Sequence, residues 1–393
     1  MGKSAPRLLL GMVLALAMGG SVRASSAARP PYAAVTWQVK IGAQSADQAL
    51  QAQAYGPGTI TVNAGDTIQW TLSAFLHTVT FLSGGARPVE VVPAGEDNLV
   101  MQNPAVAFPA GGPTYDGTGY VNSGVLQEQG ATFALTFTKA GTYGYICLLH
   151  PGMEGSVVVQ AQGSAYPMTQ AQLDAKANAE LGSKLALAEQ QRARAQLTAQ
   201  PTAEGTTSYT VLNGIGGQQA SVLRFLPGEV TVKAGDSISW PVRDPHEIHT
   251  VTFFDPAGQV PAFIEPRPQP NGPPKLLIPL AGPSGGTRVE RQGLYHSGIL
   301  GPGQSYTFTF PTPGVYRYVC IVHAPQGMFG RVTVQAATQP APVPLPATGE
   351  APVPVALPDT GAEPPVRLAL LAGAFLLLVL GRRVQRRRSW RPE

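Results

Sequence analysis

Ala140-Gly141-Thr142-Tyr143-Gly144-Tyr145-Ile146-Cys147-Leu148-Leu149-His150 and Pro313-Gly314-Val315-Tyr316-Arg317-Tyr318-Val319-Cys320-Ile321-Val322-His323 are two versions of one segment. In each, a turn leads into a Tyr-x-Tyr alternation that ends on a cysteine, with a histidine three residues later. The correspondence extends outward. Pro57-Gly58 through Trp70 matches Pro227-Gly228 through Trp240, and His77-Thr78-Val79-Thr80-Phe81 matches His249-Thr250-Val251-Thr252-Phe253. Ser123-Gly124-Val125-Leu126 matches Ser297-Gly298-Ile299-Leu300. The offset stays between 170 and 174 residues, so the chain contains two homologous domains.

Each copy reads as β-structure. Ile60-Thr61-Val62 and Thr67-Ile68-Gln69-Trp70 alternate about an Ala-Gly-Asp turn. Phe133 to Phe137 and Tyr306 to Phe310 have period two, and Val157-Val158-Val159 and Val332-Thr333-Val334 close the domains. Trp70, Trp240, Tyr145 and Tyr318 are expected in the cores. Among 393 residues there are 45 Gly and 38 Pro, too many breakers for a helical bundle but suited to short strands and turns. The expectation is a β-sandwich over residues 35–162 and another over 206–336.

The connection differs. Residues 163–205 read as a helical linker, in which 169–199 carry almost no strand signal and many Ala, Gln, Leu, Lys and Glu. Thr169-Gln170-Ala171-Gln172 has the form of a capping box, and Glu180 and Lys184 are spaced for an i, i+4 pair. The reading is a helical spacer of up to about 30 residues, some 45 Å long, with Gly182 as its weak point. Leu173, Leu181 and Leu185 form a stripe that could pack on a domain.

The only two cysteines, Cys147 and Cys320, exclude a disulfide-stapled scaffold, a zinc site built on Cys pairs and a four-Cys iron–sulfur site. Both fall at the same place in the repeat. The first domain has Cys147-x2-His150-x2-Met153 and the second Cys320-x2-His323-x4-Met328, with His77 and His249 lying 70 and 71 residues upstream of the cysteines. One thiolate, two imidazoles and a thioether are the ligand set of a blue-copper site. Cys and Met suit Cu(I), imidazole suits Cu(II), and a compromise geometry suits both. The rival reading, a Cys147–Cys320 disulfide, needs two equivalent strand ends to meet. His246 and His296 read as solvated loop histidines.

On these residues each domain resembles the cupredoxins of the plastocyanin/amicyanin group, over roughly 35–160 and 206–336. The Cys147–Met153 loop has the short amicyanin-like spacing and the Cys320–Met328 loop the longer plastocyanin-like one. The resemblance implies two cupredoxin-like Greek-key β-sandwiches, one type 1 copper in each, and outer-sphere electron transfer to a redox partner protein of the envelope. It also implies that the downstream histidine reaches the surface to pass the electron. By position these are His150, beside Leu149 and Pro151, and His323, beside Val322, Ala324 and Pro325. The unequal loops lead to the expectation of unequal reduction potentials. The His-to-Cys separations exceed those of a minimal plastocyanin. Insertions around 83–118 and 255–293 account for this and could cover the site or bind something.

Two other function classes stay open. A nitrite reductase or multicopper oxidase needs further histidine ligands, but the chain has six His, four of them already assigned, and no His-Cys or His-x-His pair. The reading is therefore a non-enzyme. A non-redox role in copper capture or surface binding would use the same residues.

The ends are addresses. Lys3 and Arg7 precede the apolar run Leu8–Ala17, and Val22-Arg23-Ala24 suits cleavage, so 1–24 reads as a secretory signal peptide, with a short anchor as the alternative. Residues 337–366 are a proline-rich stalk, expected to be extended polyproline II. Leu357-Pro358-Asp359-Thr360-Gly361, with Leu368–Leu380 and a basic tail in 367–393, resembles an LPxTG sorting signal. That resemblance implies sortase cleavage after Thr360 and wall linkage; a plain membrane anchor is the alternative. Leu345-Pro346-Ala347-Thr348-Gly349 repeats the pentapeptide without the apolar run behind it. The formal charge of +4 comes from these ends: residues 25–380 have a net charge of −4, which argues against nucleic acid. The chain is expected outside the cell, held at its C-terminus.

Overall fold

The computed structural model describes residues 1–2, 32–95, 99–255, 258–290 and 292–337. The signal peptide beyond residue 2, the proline stalk beyond residue 337, both LPxTG-like motifs and the apolar anchor fall outside the described residues. Among the described residues, no helix is long and apolar enough to cross a membrane.

The protein is all-β and has two domains. In the first, Thr36–Gln44 pairs parallel with Thr67–Leu72, which pairs antiparallel with Thr132–Phe137. The opposing sheet runs Thr59–Asn63, Glu154–Gln160, Gly141–Ile146, Thr80–Phe81, Val121–Ser123 and Pro109–Ala110. Alternation buries one face of Thr67–Leu72, Thr132–Phe137 and Glu154–Gln160. Ile68, Trp70 and Leu72 point inward to meet Val157, Val159 and Tyr145. Trp70 and Tyr145 are edge-on at 5.3 Å, and Trp240 and Tyr318 repeat that contact at 5.3 Å in the second domain. All four are buried, as the pattern required.

The second domain repeats the plan with Thr207–Thr210, Ser237–Pro241 and Ser305–Thr309 against Glu229–Lys233, Phe329–Gln335 and Gly314–Val319. Two more of its strands, Leu212–Gly217 and Ala220–Leu226, join the first domain's sheet. Ala220, Ser221 and Val222 pair antiparallel with Ala52, Gln51 and Leu50 of strand Leu50–Gly56. Equivalent strands of the two copies thus meet antiparallel, the arrangement a local two-fold relation produces. Ala49, Leu50, Ala188, Ala220 and Val222 are buried along the seam.

The connection holds one unbroken helix, Gln170–Arg194, which Gly182 does not interrupt, but it ends in a strand, Thr198–Pro201, paired antiparallel with Thr207–Thr210. Thr169 caps it: its side chain accepts from the Gln172 N–H, and the Gln172 side chain accepts from the Thr169 N–H. The helix does not hold the domains apart. It lies across strands Leu50–Gly56 and Ala220–Leu226, burying Leu173, Ala177, Leu181 and Ala188, with Leu185 partly covered. Arg192 pairs with Asp47 at 3.2 Å.

The insertions also pair across the domains. Val91–Pro93 and Val100–Gln102 from the first join Lys275–Ile278 and Glu265–Arg267 from the second in one small sheet, with Met101 opposite Leu277 and Val100 opposite Ile278. Val91, Gln102 and Ile278 of this sheet line a cavity beside His150 and His323, so these parts of the insertions act as a cover.

Candidate metal centres

Each site is built from two strand ends. His77 follows strand Thr67–Leu72 and bridges to Leu126; His249 does the same with Leu300. Cys147 immediately follows strand Gly141–Ile146 and Cys320 follows Gly314–Val319. The threonine after each first histidine fixes the junction. Thr78 Oγ1 accepts from the Leu148 N–H at 2.8 Å, and Thr250 Oγ1 from the Ile321 N–H at 2.9 Å. The Thr78 N–H points at Cys147 Sγ at 3.4 Å, and the Thr250 N–H at Cys320 Sγ at 3.3 Å.

The unequal loops close in the same way. The Cys147 N–H donates to Met153 O at 3.0 Å, and the Cys320 N–H to Met328 O at 3.1 Å. The two extra residues of the second loop are taken up by a 3₁₀ turn, Ala324–Gln326, which ends at Gly327 with φ +78°. Met153 and Met328 are buried in the same apolar clusters as the cysteines.

In the first domain, Cys147 Sγ lies 3.4 Å from His150 Nδ1 and 3.7 Å from His77 Nδ1, with the two nitrogens 2.9 Å apart. In the second, the corresponding distances for Cys320, His323 and His249 are 3.5, 3.9 and 3.2 Å. A point equidistant from the corners of either triangle lies about 2 Å from each, the length of a metal–nitrogen bond. Two imidazole nitrogens and a sulfur converging in a buried site suit copper, and the residues present fit it. Both cysteines are free thiols, each in its own site, so the disulfide reading is wrong.

The electrostatics favour the ligating forms of the two cysteines and of His77. Burial alone would raise the Cys147 thiol, but His150 and His77 pull it well below its usual range; His323 and His249 do the same for Cys320. Burial and the neighbouring His150 lower His77.

Glycines make room for the first histidines. Strand Thr36–Gln44 bulges at Gly42 (φ +67°) and strand Leu212–Gly217 at Gly214 (φ +76°). A Cβ on Gly42 would come 2.9 Å from His77 Nε2, and one on Gly214 2.2 Å from His249 Nε2. Neither glycine was legible as part of a site, because the match of the repeats is clearest from Pro57 and Pro227 onward.

Two expectations are corrected here. His296 is not a solvated loop residue: it is fully buried, receives the Thr252 hydroxyl at Nδ1 (2.8 Å) and donates from Nε2 to Leu280 O (2.7 Å). It does the work of Asn122, which accepts the Thr80 hydroxyl and donates to backbone carbonyls. His246 is half-buried in the seam. It donates from Nδ1 to Pro151 O at 2.8 Å and accepts the Gln219 N–H at Nε2.

The downstream histidines do not reach the surface. His150 is 4% exposed and His323 is fully buried, because each faces the other domain. The residue that joins them, Glu247, was missed. Its Oε1 lies 3.3 Å from His150 Nε2 and its Oε2 3.4 Å from His323 Nε2, and Gln53 of the first domain donates to Oε1. Burial raises the Glu247 carboxyl, but the two imidazoles outweigh this and hold it well below the usual carboxylate range. His150 is raised well above, and His323 to about 10, by the carboxylate and thiolate beside them, against the effect of burial. An interdomain cavity of about 110 Å³, walled by Phe75, Leu149, Phe263 and Ile278, adjoins the pair.

A β-sandwich carrying a buried Cys-His-His cluster at the end of paired strands defines a metal-binding protein of the cupredoxin kind. The family of copper binding proteins described as plastocyanin/azurin matches residues 39–160 and again 211–335, and the chain belongs to it. Over 120 residues the chain is 33% identical to the chloroplastic plastocyanin of Tetradesmus obliquus, covering 30% of this chain and 63% of that protein. Over 139 residues it is 29% identical to amicyanin of Paracoccus denitrificans, covering 35% and 79%. Among solved structures, a purple cupredoxin from Nitrosopumilus maritimus is 19% identical, covering 32% of this chain and 98% of that one, with a TM-score of 0.20.

Proposed function

We propose that this chain is an exported electron carrier that holds one type 1 copper in each domain. The ligands are His77, Cys147, His150 and Met153 in the first and His249, Cys320, His323 and Met328 in the second. The observation that carries this reading is the buried sulfur–nitrogen–nitrogen triangle, formed twice from matched positions. Bound there, copper would alternate between Cu(I) and Cu(II) and supply one-electron chemistry. The chain's own part is to hold the ligand atoms still. The threonine bridges, the Cys-to-Met backbone closure and the glycine seats all restrain them, so little rearranges when charge changes.

A carrier, rather than an oxidase or nitrite reductase, is favoured by the two remaining histidines. His246 and His296 bond backbone carbonyls. The N-terminal leader and the LPxTG-like end support display outside the cell, wall-linked or membrane-held, with envelope redox proteins as partners.

The test is copper loading of the purified protein with a visible spectrum. Two coppers per chain and an intense copper–thiolate band that bleaches with reductant are expected. No such band would overturn the reading. A loaded chain that resists reduction and reoxidation by small soluble mediators would instead support copper capture.

A further inference from the structure

The position two residues before the first histidine carries Phe75 in one domain and Glu247 in the other. Both reach across the seam. The Phe75 ring stands edge-on to His323 at 6.0 Å, and Glu247 spans His150 and His323. The two-fold relation of the domains therefore turns the metal sites toward each other, and the buried Glu247 side chain contacts an imidazole of each. The Nε2 edges that the resemblance assigned to a partner protein are sealed by this chain itself.

We propose that Glu247 joins the two sites into one redox unit, with His150–Glu247–His323 as the path by which a single electron passes between the domains. This rests on the copper reading above. From His150 Nδ1 to His323 Nδ1 the route is covalent except for two gaps, of 3.3 and 3.4 Å. One electron leaves a Cu(I) site and arrives at a Cu(II) site; no bond is made or broken. The carboxylate stays acceptor-only, facing two ring nitrogens and the Gln53 amide. Its second role is positioning. It holds each ring with Nε2 outward to the seam, which leaves Nδ1 for the metal; partners of this kind orient ligating histidines.

Glu247 belongs to the second domain, and this makes a decisive test possible. In the metal-free protein, the Nε2 protons of both His150 and His323 should exchange slowly with water, and both should exchange fast in E247A. In the loaded protein, pulse reduction of fewer than one site per chain should be followed by equilibration at a rate independent of protein concentration. E247A should slow that rate at least tenfold when compared at equal copper loading. In a C320S background, E247Q should raise the potential of the remaining first site, since it removes a negative charge beside that site's His150. E247Q keeps the shape, so it serves should E247A not fold. An unaltered exchange rate in a blue, loaded variant, or a first-site potential indifferent to E247Q, overturns the bridge alone. A wild-type chain that takes up no copper overturns the copper reading, and the bridge with it.

Discussion

Gly214 lies so close under His249 that a Cβ on it would stand 2.2 Å from the ring nitrogen Nε2. No real contact is that short, and the left-handed φ of +76° adds about 1–2 kcal/mol of strain for any other residue. Gly214→Ala should therefore displace His249 and lower copper uptake from two to one per chain. Gly42→Ala should do the same to the first site. Metal analysis of the purified variants decides it, and full loading of both would show that the glycines do not seat the histidines.

The two sites should differ in potential. Their triangles are similar, but the second loop contains the extra turn Ala324–Gln326, and His323 meets the Phe75 ring. Redox titration of Cys147→Ser and Cys320→Ser isolates each remaining site. Equal midpoints would contradict the expectation.

His296 should matter for stability and not for metal. His296→Ala removes the donor to the Leu280 carbonyl and leaves the buried Thr252 hydroxyl only the longer contact to Thr250, at about 1–3 kcal/mol. Thermal melting should register the loss while copper stoichiometry stays unchanged. A loss of copper would reassign the residue.

Acid should act through Asp66. Burial alone would raise its carboxyl, but donation from the Tyr32 hydroxyl, the Asn63 and Val35 N–H groups and the Trp37 indole holds it below the usual value. A depressed carboxylate contributes stability that is fully present above the unfolded value of about 3.9 and is lost as pH falls through the folded one. Asp66→Asn should be less stable at pH 7 and show a flatter decline below about pH 4. Denaturant titrations at each pH measure this; parallel declines in both proteins would assign acid sensitivity elsewhere.

The sandwiches and their six Cys and His site residues were readable because the repeat supplied its own control: Cys147 and Cys320 each had the same neighbours at the same distances. What stayed hidden depends on contacts across the seam. Glu247 has no matching acid in the first domain, and its targets lie 97 residues before it and 76 after it. Burial of His150 and His323 follows from the pairing of Leu50–Gly56 with Ala220–Leu226, which no periodicity encodes. His296 was misread although its alignment with Asn122 was visible. Asn and neutral His each present an N–H donor group and an acceptor at a planar end, and that was the available signal.

The most direct test of the central claim is anomalous diffraction at the copper edge from crystals of the loaded protein. The account predicts two peaks per chain, each within bonding distance of one cysteine Sγ and two histidine Nδ1 atoms: Cys147, His77 and His150 for one, Cys320, His249 and His323 for the other. A single peak at Glu247 between His150 and His323, or no peak at either cysteine, would contradict it.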